Sequence, residues 1–125
     1  MPNKFIFEDF PVYKRVLEFN SEIATFLEEI TGQGNYTIKD QLSRASMSIL
    51  LNIAEGSGRF TKADKKNFYV NARGSTYECA ACLQLFKGKK LIGDHKYDQL
   101  YNILNDIAKQ LSALIKTQQT SISQN

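Results

Sequence analysis

The sequence has no tryptophan, two prolines, two cysteines and one histidine among its 125 residues. His95 falls at an expected helix start, so neither a Ser-His-Asp nor a Cys-His catalytic arrangement is persuasive. The metal-binding four-helix bundles need Glu-x-x-His motifs, and the sequence contains none. We therefore expect no catalytic residues, no metal site, no cofactor and no enzymatic activity.

The two cysteines, Cys79 and Cys82, form an isolated C-x-x-C. A structural zinc site needs about four ligands, and His95 is the one further candidate. Redox C-x-x-C pairs stand at helix N-termini, whereas this pair falls inside a predicted helix. We favour small buried core residues, because free cysteine is among the most buried residue types.

Long hydrophobic runs are also missing. No stretch approaches the roughly 20 apolar residues that span a membrane, and the first residues lack the apolar region and cleavage site of a signal peptide. We expect one cytoplasmic domain that does not associate with membranes. At 125 residues the chain is long enough to build its own core.

Acidic residues are scarce in the middle of the chain. Residues 57–90 carry eight basic side chains against Asp64 and Glu78, a balance of +6, while the whole chain is +3. This segment permits binding of RNA or DNA. It does not require such binding, because a similar charge is common on solvated helix faces.

Helical periodicity is abundant, and no segment alternates as a strand does. Apolar residues recur at steps of three and four in segments separated by glycine-rich or polar loops. We therefore expect an all-α fold, an antiparallel up-down-up-down four-helix bundle over residues 10–116. Residues 1–9 are interpreted as an N-terminal arm and 117–125 as a frayed tail. The expected helices are 10–31, 37–56, 61–88 and 94–116.

The second predicted helix is apolar on two opposed faces. One face consists of Ile38, Leu42, Ala45, Ile49 and Ile53. The other consists of Met47, Leu50, Leu51 and Ala54. Because a single small core cannot cover both, the second face is expected to pack against another helix or another subunit. We expect a homo-oligomer.

The third predicted helix carries a core stripe and a glycine. The stripe consists of Phe68, Ala72, Ser75, Cys79, Cys82, Leu83 and Phe86. Gly74 stands in mid-helix, where glycine costs about 1 kcal/mol relative to alanine. That cost indicates that another backbone or side chain packs against Gly74.

Polar seams run along the second and third helices. They consist of Gln41, Arg44, Asn52, Glu55, Asn71, Arg73 and Glu78. One interpretation is that these side chains pair between helices or across a subunit boundary, since unpaired burial costs several kcal/mol. The other is that arginines bind phosphate while tyrosines stack on bases. That candidate nucleic-acid surface consists of Arg44, Arg59, Lys62, Lys65, Lys66, Tyr69, Arg73 and Tyr77.

Several short motifs carry a resemblance to a known family. They are QLSRASMSI at 41–49, NIAEG at 52–56, Gly58-Arg59, Phe68-Tyr69, ARGS at 72–75 and Glu78. The chain resembles the four-helix-bundle proteins encoded in intervening sequences of 23S ribosomal RNA genes. It is more distantly similar to accessory proteins of diversity-generating retroelements. A departure is Leu50-Leu51, where members often have proline and a small residue, so helix two is expected to be straighter here.

The resemblance implies a homopentamer of four-helix bundles. For the retroelement relatives it implies a basic barrel that binds nucleic acid and a reverse transcriptase. The function expected here is that of a homo-oligomer with a surface for RNA or DNA. The alternative is a protein-interaction scaffold or accessory subunit, for example of a reverse transcriptase, without direct nucleic-acid contact.

Overall fold

The structure, a computed structural model, describes residues 4–124, with side chains described as far as residue 119. This part of the chain contains four α-helices and no strand, which confirms the all-α class. Short 3₁₀ turns at Ile6–Asp9 and Gln33–Asn35 precede the first two helices. The helices are α1 (Pro11–Glu28), α2 (Tyr36–Ser57), α3 (Lys62–Gly88) and α4 (Asp94–Gln124).

The helix ends differ from the expected ones at α1 and α4. α1 ends at Glu28, before the expected residue 31, and α4 continues to Gln124 rather than stopping near 116. No glycine or proline interrupts 117–124, so nothing in that sequence stops the helix. Residues 1–3 of the expected arm and residue 125 of the expected tail lie outside the described residues.

The core draws apolar side chains from all four helices. α1 and α3 each contact both α2 and α4, and the Phe26 and Phe86 rings meet edge-to-face with centroids 5.3 Å apart. Burying each large apolar side chain contributes roughly 1.5–3 kcal/mol. The first predicted face of α2 lies in this core: Leu42, Ala45, Ile49 and Ile53 are buried, and Ile38 is partly buried.

Polar contacts join each neighbouring pair of helices. Asn20 of α1 donates to the Val16 and Ser46 carbonyls, the latter on α2. Between α1 and α4, Arg15 pairs with Asp106 at 3.0 Å and Lys96 with Glu22 at 2.5 Å. These contacts are about one-third to one-half exposed, so we expect each to contribute modestly.

The core stripe of α3 differs from the expected one at two positions. Tyr69 and Thr76 are buried, whereas Phe68 and Ser75 are only partly buried. The expected stripe began at Phe68, the more apolar of two adjacent aromatic residues. The observed stripe consists of Tyr69, Ala72, Thr76, Cys79, Cys82, Leu83 and Phe86.

Candidate assembly and nucleic-acid surfaces

An outward-facing strip of α2 combines apolar and charged side chains. This outer face of α2, as we call it, consists of Asp40, Arg44, Met47, Leu51 and Glu55, which border an open groove of about 520 Å³. Met47 is 51% exposed and Leu51 is 56% exposed. Leu50 and Ala54, which were expected to belong to the same face, are partly buried. Half of the second apolar face therefore remains uncovered within the chain.

Both ends of this outer face carry an ion pair within one turn. Arg44 Nε donates to Asp40 Oδ2 at 2.8 Å, and this hydrogen bond raises the pKa of the Arg44 guanidinium. Arg59 Nη2 donates to Glu55 Oε1 at 3.0 Å. Both pairs are largely exposed, so they leave the charges accessible to a partner.

The seam between α2 and α3 consists mainly of hydrogen bonds. Gln41 Nε2 donates to Glu78 Oε2 at 2.6 Å, and the hydroxyls of Ser48 and Ser75 lie 2.8 Å apart. Asn52 stays within α2, donating to the carbonyl and hydroxyl oxygens of Ser48. The expected pairing between helices is therefore observed for Gln41 and Glu78. Arg44 and Glu55 instead pair with residues four positions away in the sequence. Asn71 is exposed.

Arg73 lies on the side of α3 that faces α4. Its Nε donates to Ser112 Oγ and its Nη2 donates to Tyr77 Oη, both at 2.8 Å. The guanidinium also lies 4.6 Å from the centroid of the Tyr77 ring. Arg73 therefore joins α3 to α4. Ser112 gave no sequence signal as its partner, because one serine near an apolar helix face has no distinctive pattern.

Apart from Arg73, the basic side chains of segment 57–90 form two clusters at opposite ends of α3. One, which we call the basic corner, consists of Arg59, Lys62, Lys65 and Lys66. The other consists of Lys87, Lys89 and Lys90. At about 1.5 Å per helical residue, the clusters lie roughly 35 Å apart, so they do not form one surface.

The basic corner is tied to the turn between α2 and α3. Lys65 Nζ donates to the Ser57 carbonyl at 2.8 Å, and the Arg59 guanidinium lies 4.5 Å from the Phe68 ring centroid. Lys62 is exposed and Lys66 partly buried. The structure thus brings Arg59, Lys62, Lys65 and Lys66 together and leaves Arg44 and Arg73 elsewhere.

The aromatic part of the nucleic-acid prediction is wrong for Tyr69. Tyr69 is 1% exposed and packs against Gly56, so it presents no ring to a base. Phe60 stands beside the basic corner instead and is fully exposed. Sequence reasoning overlooked Phe60; the only signal was an aromatic residue in the short loop before the N-cap Thr61.

An exposed apolar stripe on α3 was also overlooked. This outer stripe of α3 recurs at helical spacing and lies entirely on the surface. Its large members, Val70, Tyr77 and Leu85, are 45%, 57% and 60% exposed. Its full membership is Val70, Gly74, Tyr77, Ala81 and Leu85.

No part of the described chain packs against Gly74, so the backbone or side chain expected to contact it is not found within this subunit. A Cβ added there would meet nothing within 4 Å. The residue instead lines an open groove of about 590 Å³ between α3 and α4, together with Arg73, Ile115 and Lys116. α3 therefore contains a glycine, which is unfavourable inside a helix, at a position where no neighbour in the described chain requires the absence of a side chain.

Two other sequence predictions concern reactive groups and membranes. Cys79 and Cys82 are free thiols in the core, which confirms the core interpretation, and burial raises the pKa of both. No three His, Cys, Asp or Glu side chains in the described residues group as metal ligands do. Across the same part of the chain, every helix is too short or too polar to cross a membrane.

Comparison with known proteins identifies the family. A search of curated proteins gives no match. A crystal structure of a protein with unknown function, from the S23 ribosomal protein family of Bacteroides thetaiotaomicron, is 26% identical to this chain with a TM-score of 0.79. The match covers 84% of this chain and 98% of that one. Residues 8–113 also match the model of the 23S rRNA-intervening sequence proteins. The chain therefore belongs to the 23S rRNA-intervening sequence protein family.

Proposed function

We propose that this chain is a cytoplasmic, non-catalytic protein that works by self-association through the outer face of α2. The observation that carries the proposal is the exposure of Met47 and Leu51, each more than half uncovered, in the middle of that face. Covering the exposed half of each side chain contributes on the order of 1 kcal/mol. The apolar centre with charged ends has the composition of an interface core with its rim.

An antiparallel up-down arrangement of the four helices belongs to the same proposal. Between α1 and α4, Arg15 contacts Asp106 while Glu22 contacts Lys96, so residue numbers rise on one helix and fall on the other. Other neighbouring helices have the same order, in the contacts Gln41–Glu78, Ser48–Ser75, Arg73–Ser112 and Lys87–Tyr97. Such contacts support neighbours that run in opposite directions.

The test of self-association is a mass measurement in solution. Light scattering or sedimentation of the 14.2 kDa chain should give a multiple of that mass that falls on dilution. Five copies, the number that the resemblance implies, would weigh about 71 kDa. Leu51→Glu should reduce the assembly, whereas Leu17→Glu, on a leucine of α1 that is 45% exposed, should not. A wild-type chain that stays monomeric at every concentration would exclude the proposal.

A second candidate function is association with RNA or DNA at the basic corner. Three lysines lie in or beside the first turn of α3, where the helix dipole disfavours cations, and the fully exposed Phe60 stands next to them. Lysine and arginine neutralise phosphates, and an exposed ring offers a stacking face to a base. This combination favours a single-stranded nucleic acid over a duplex.

Fluorescence anisotropy with labelled single-stranded RNA and DNA tests this candidate. Lys62→Glu with Lys66→Glu should weaken binding, while Lys14→Glu with Lys89→Glu, the same charge change elsewhere, should have little effect. If all four cations of the corner contact phosphates, the logarithm of the affinity should fall against that of salt with a slope of about −3. Absence of binding at low salt would favour the alternative, a scaffold or accessory subunit such as that of a reverse transcriptase.

A further inference from the structure

We propose that the outer stripe of α3 receives the outer face of α2 from a second copy, so that subunits join head to tail. The inference rests on the proposed self-association and names the two surfaces that meet. Each surface exposes large apolar side chains in the single chain, Met47 and Leu51 on α2 and Val70, Tyr77 and Leu85 on α3. They lie on different helices, so each copy presents one of each.

The outer stripe of α3 has the form of a helix-packing surface without a partner. Its residues recur in steps of three and four, the spacing by which buried stripes meet a neighbouring helix. Gly74 and Ala81 alternate with the larger Val70, Tyr77 and Leu85, so the stripe has two depressions. Nothing in the described chain fills the depression at Gly74. A glycine there becomes useful when another helix approaches closely.

The outer face of α2 matches this stripe in length and in the placement of its projecting side chains. From Asp40 to Glu55 and from Val70 to Leu85, each surface spans 15 residue steps, or roughly 22 Å of helix. Met47 and Leu51 project from α2, each more than half exposed. If Leu51 of one copy lies opposite Gly74 of the other, its projecting side chain fills the depression that the glycine leaves.

Charge selects the direction of the pairing. With Leu51 at Gly74 and the helices antiparallel, Arg44 comes within about one helical turn of Glu78 of the second copy. A parallel pairing in the same register brings Glu55 near Glu78 and Arg44 near Lys66, which are like charges. Opposite charges across an interface fix register and partner choice. The antiparallel pairing is therefore the one that this sequence supports.

A contact between two different surfaces has a consequence for symmetry. Such a heterologous contact leaves one unused surface of each kind on a pair of copies, so it repeats until a ring closes or a filament forms. A two-fold contact between two α2 faces would instead end at a dimer and leave the α3 stripe exposed. The head-to-tail contact covers both surfaces.

Two variants that each block one surface test the inference. Leu51→Glu removes the α2 surface, and Gly74→Trp fills the α3 depression; because nothing lies within 4 Å of a Cβ at Gly74, the variant fold should be retained, which circular dichroism checks. Each variant alone should be a monomer. An equimolar mixture should give a heterodimer of about 28 kDa and nothing larger, because one intact surface of each kind remains. Ala24→Trp, on an exposed position of α1, is the matched control and should assemble normally.

The outcomes separate this inference from the proposed self-association. If Gly74→Trp assembles like the wild type, or if the two monomeric variants do not combine, the head-to-tail contact is wrong while self-association stands. If the wild type is itself a monomer, both fail. A charge exchange tests the direction: Arg44→Glu should weaken assembly at least tenfold, and adding Glu78→Arg should restore it. Failure of that rescue, with both variants folded, would overturn the antiparallel register.

Discussion

The sharpest stability prediction concerns Gly56, near the C-terminal end of α2. A Cβ added at Gly56 would lie 2.7 Å from Phe68 Cβ and 2.9 Å from Tyr69 Cε1. Carbon atoms in good contact are about 3.5–4.0 Å apart. Phe68 Cβ is fixed to the backbone of α3 and cannot rotate away, so α3 itself must move to admit a methyl group.

The expected cost follows from two opposing effects. Overpacking a well-filled site costs about 1–3 kcal/mol, and a clash with an atom fixed to the backbone belongs at the upper end. Alanine gains at most about 1 kcal/mol over glycine in a helix. Gly56→Ala should therefore lower the free energy of unfolding by about 2 kcal/mol. For a domain of this size, that corresponds to a fall in Tm of roughly 8 °C.

Urea and thermal unfolding, followed by circular dichroism at one low protein concentration, measure the effect. Gly58→Ala is the matched control, because its Cβ would meet only the Glu55 carbonyl at an ordinary 3.5 Å, and it should change stability by less than about 0.5 kcal/mol. If Gly56→Ala is as stable as Gly58→Ala, close approach of the two helices does not explain this glycine.

Two further predictions concern the core. Ile49→Ala should cost about 3 kcal/mol and Met47→Ala less than about 1 kcal/mol in urea unfolding of the dilute protein; comparable losses would mean that Met47 is also buried within the subunit. Because burial raises the pKa of Cys79 and Tyr69, the folded state holds their protons more tightly than the unfolded state. Their contribution should be complete below about pH 8 and fall as the pH rises past the unfolded pKa values of about 8.5 for cysteine and about 10 for tyrosine. Tyr69→Phe with Cys79→Ala should flatten that part of the pH–stability curve.

The sequence was most informative where apolar periodicity was unambiguous. Leu42, Ala45, Ile49 and Ile53 are spaced as one helix face, with polar residues beside them, and they are buried as expected. α3 was harder, because stripes starting at Phe68 and at Tyr69 both follow heptad spacing. Which of the two stripes is buried depends on how closely α2 and α3 approach at Gly56, and this tertiary contact is not visible in the sequence.

The candidate surfaces were predictable only in part. The exposure of Met47 and Leu51 follows from a helix with more apolar residues than one core can cover. The separation of the basic residues into two distant clusters could not be predicted from net charge. A sum over 34 residues takes no account of position, whereas a helix as long as α3 places its two ends far apart. The outer stripe of α3 was overlooked because glycine and alanine contribute little to an apolar pattern, although Val70, Tyr77 and Leu85 are correctly spaced.

We expect assembly and nucleic-acid binding to be coupled, because one basic corner carries too little charge to bind a strand tightly by itself. Its four cations are opposed by Glu55, which already pairs with Arg59, and by Asp64, so one corner has a net charge of +2. Contacts to phosphates supply essentially all of nonspecific binding to nucleic acid and weaken steeply with salt, and one corner supplies at most four of them.

Several corners in one assembly would act together on a long strand, and such avidity raises affinity by about 10²–10⁴. Leu51→Glu leaves the corner intact, so it should bind an oligonucleotide that reaches one corner like the wild type. It should bind a strand of several tens of nucleotides at least about 100-fold more weakly than the wild type. Equal affinity of the monomeric variant and the assembled protein for the long strand would show that each subunit binds alone.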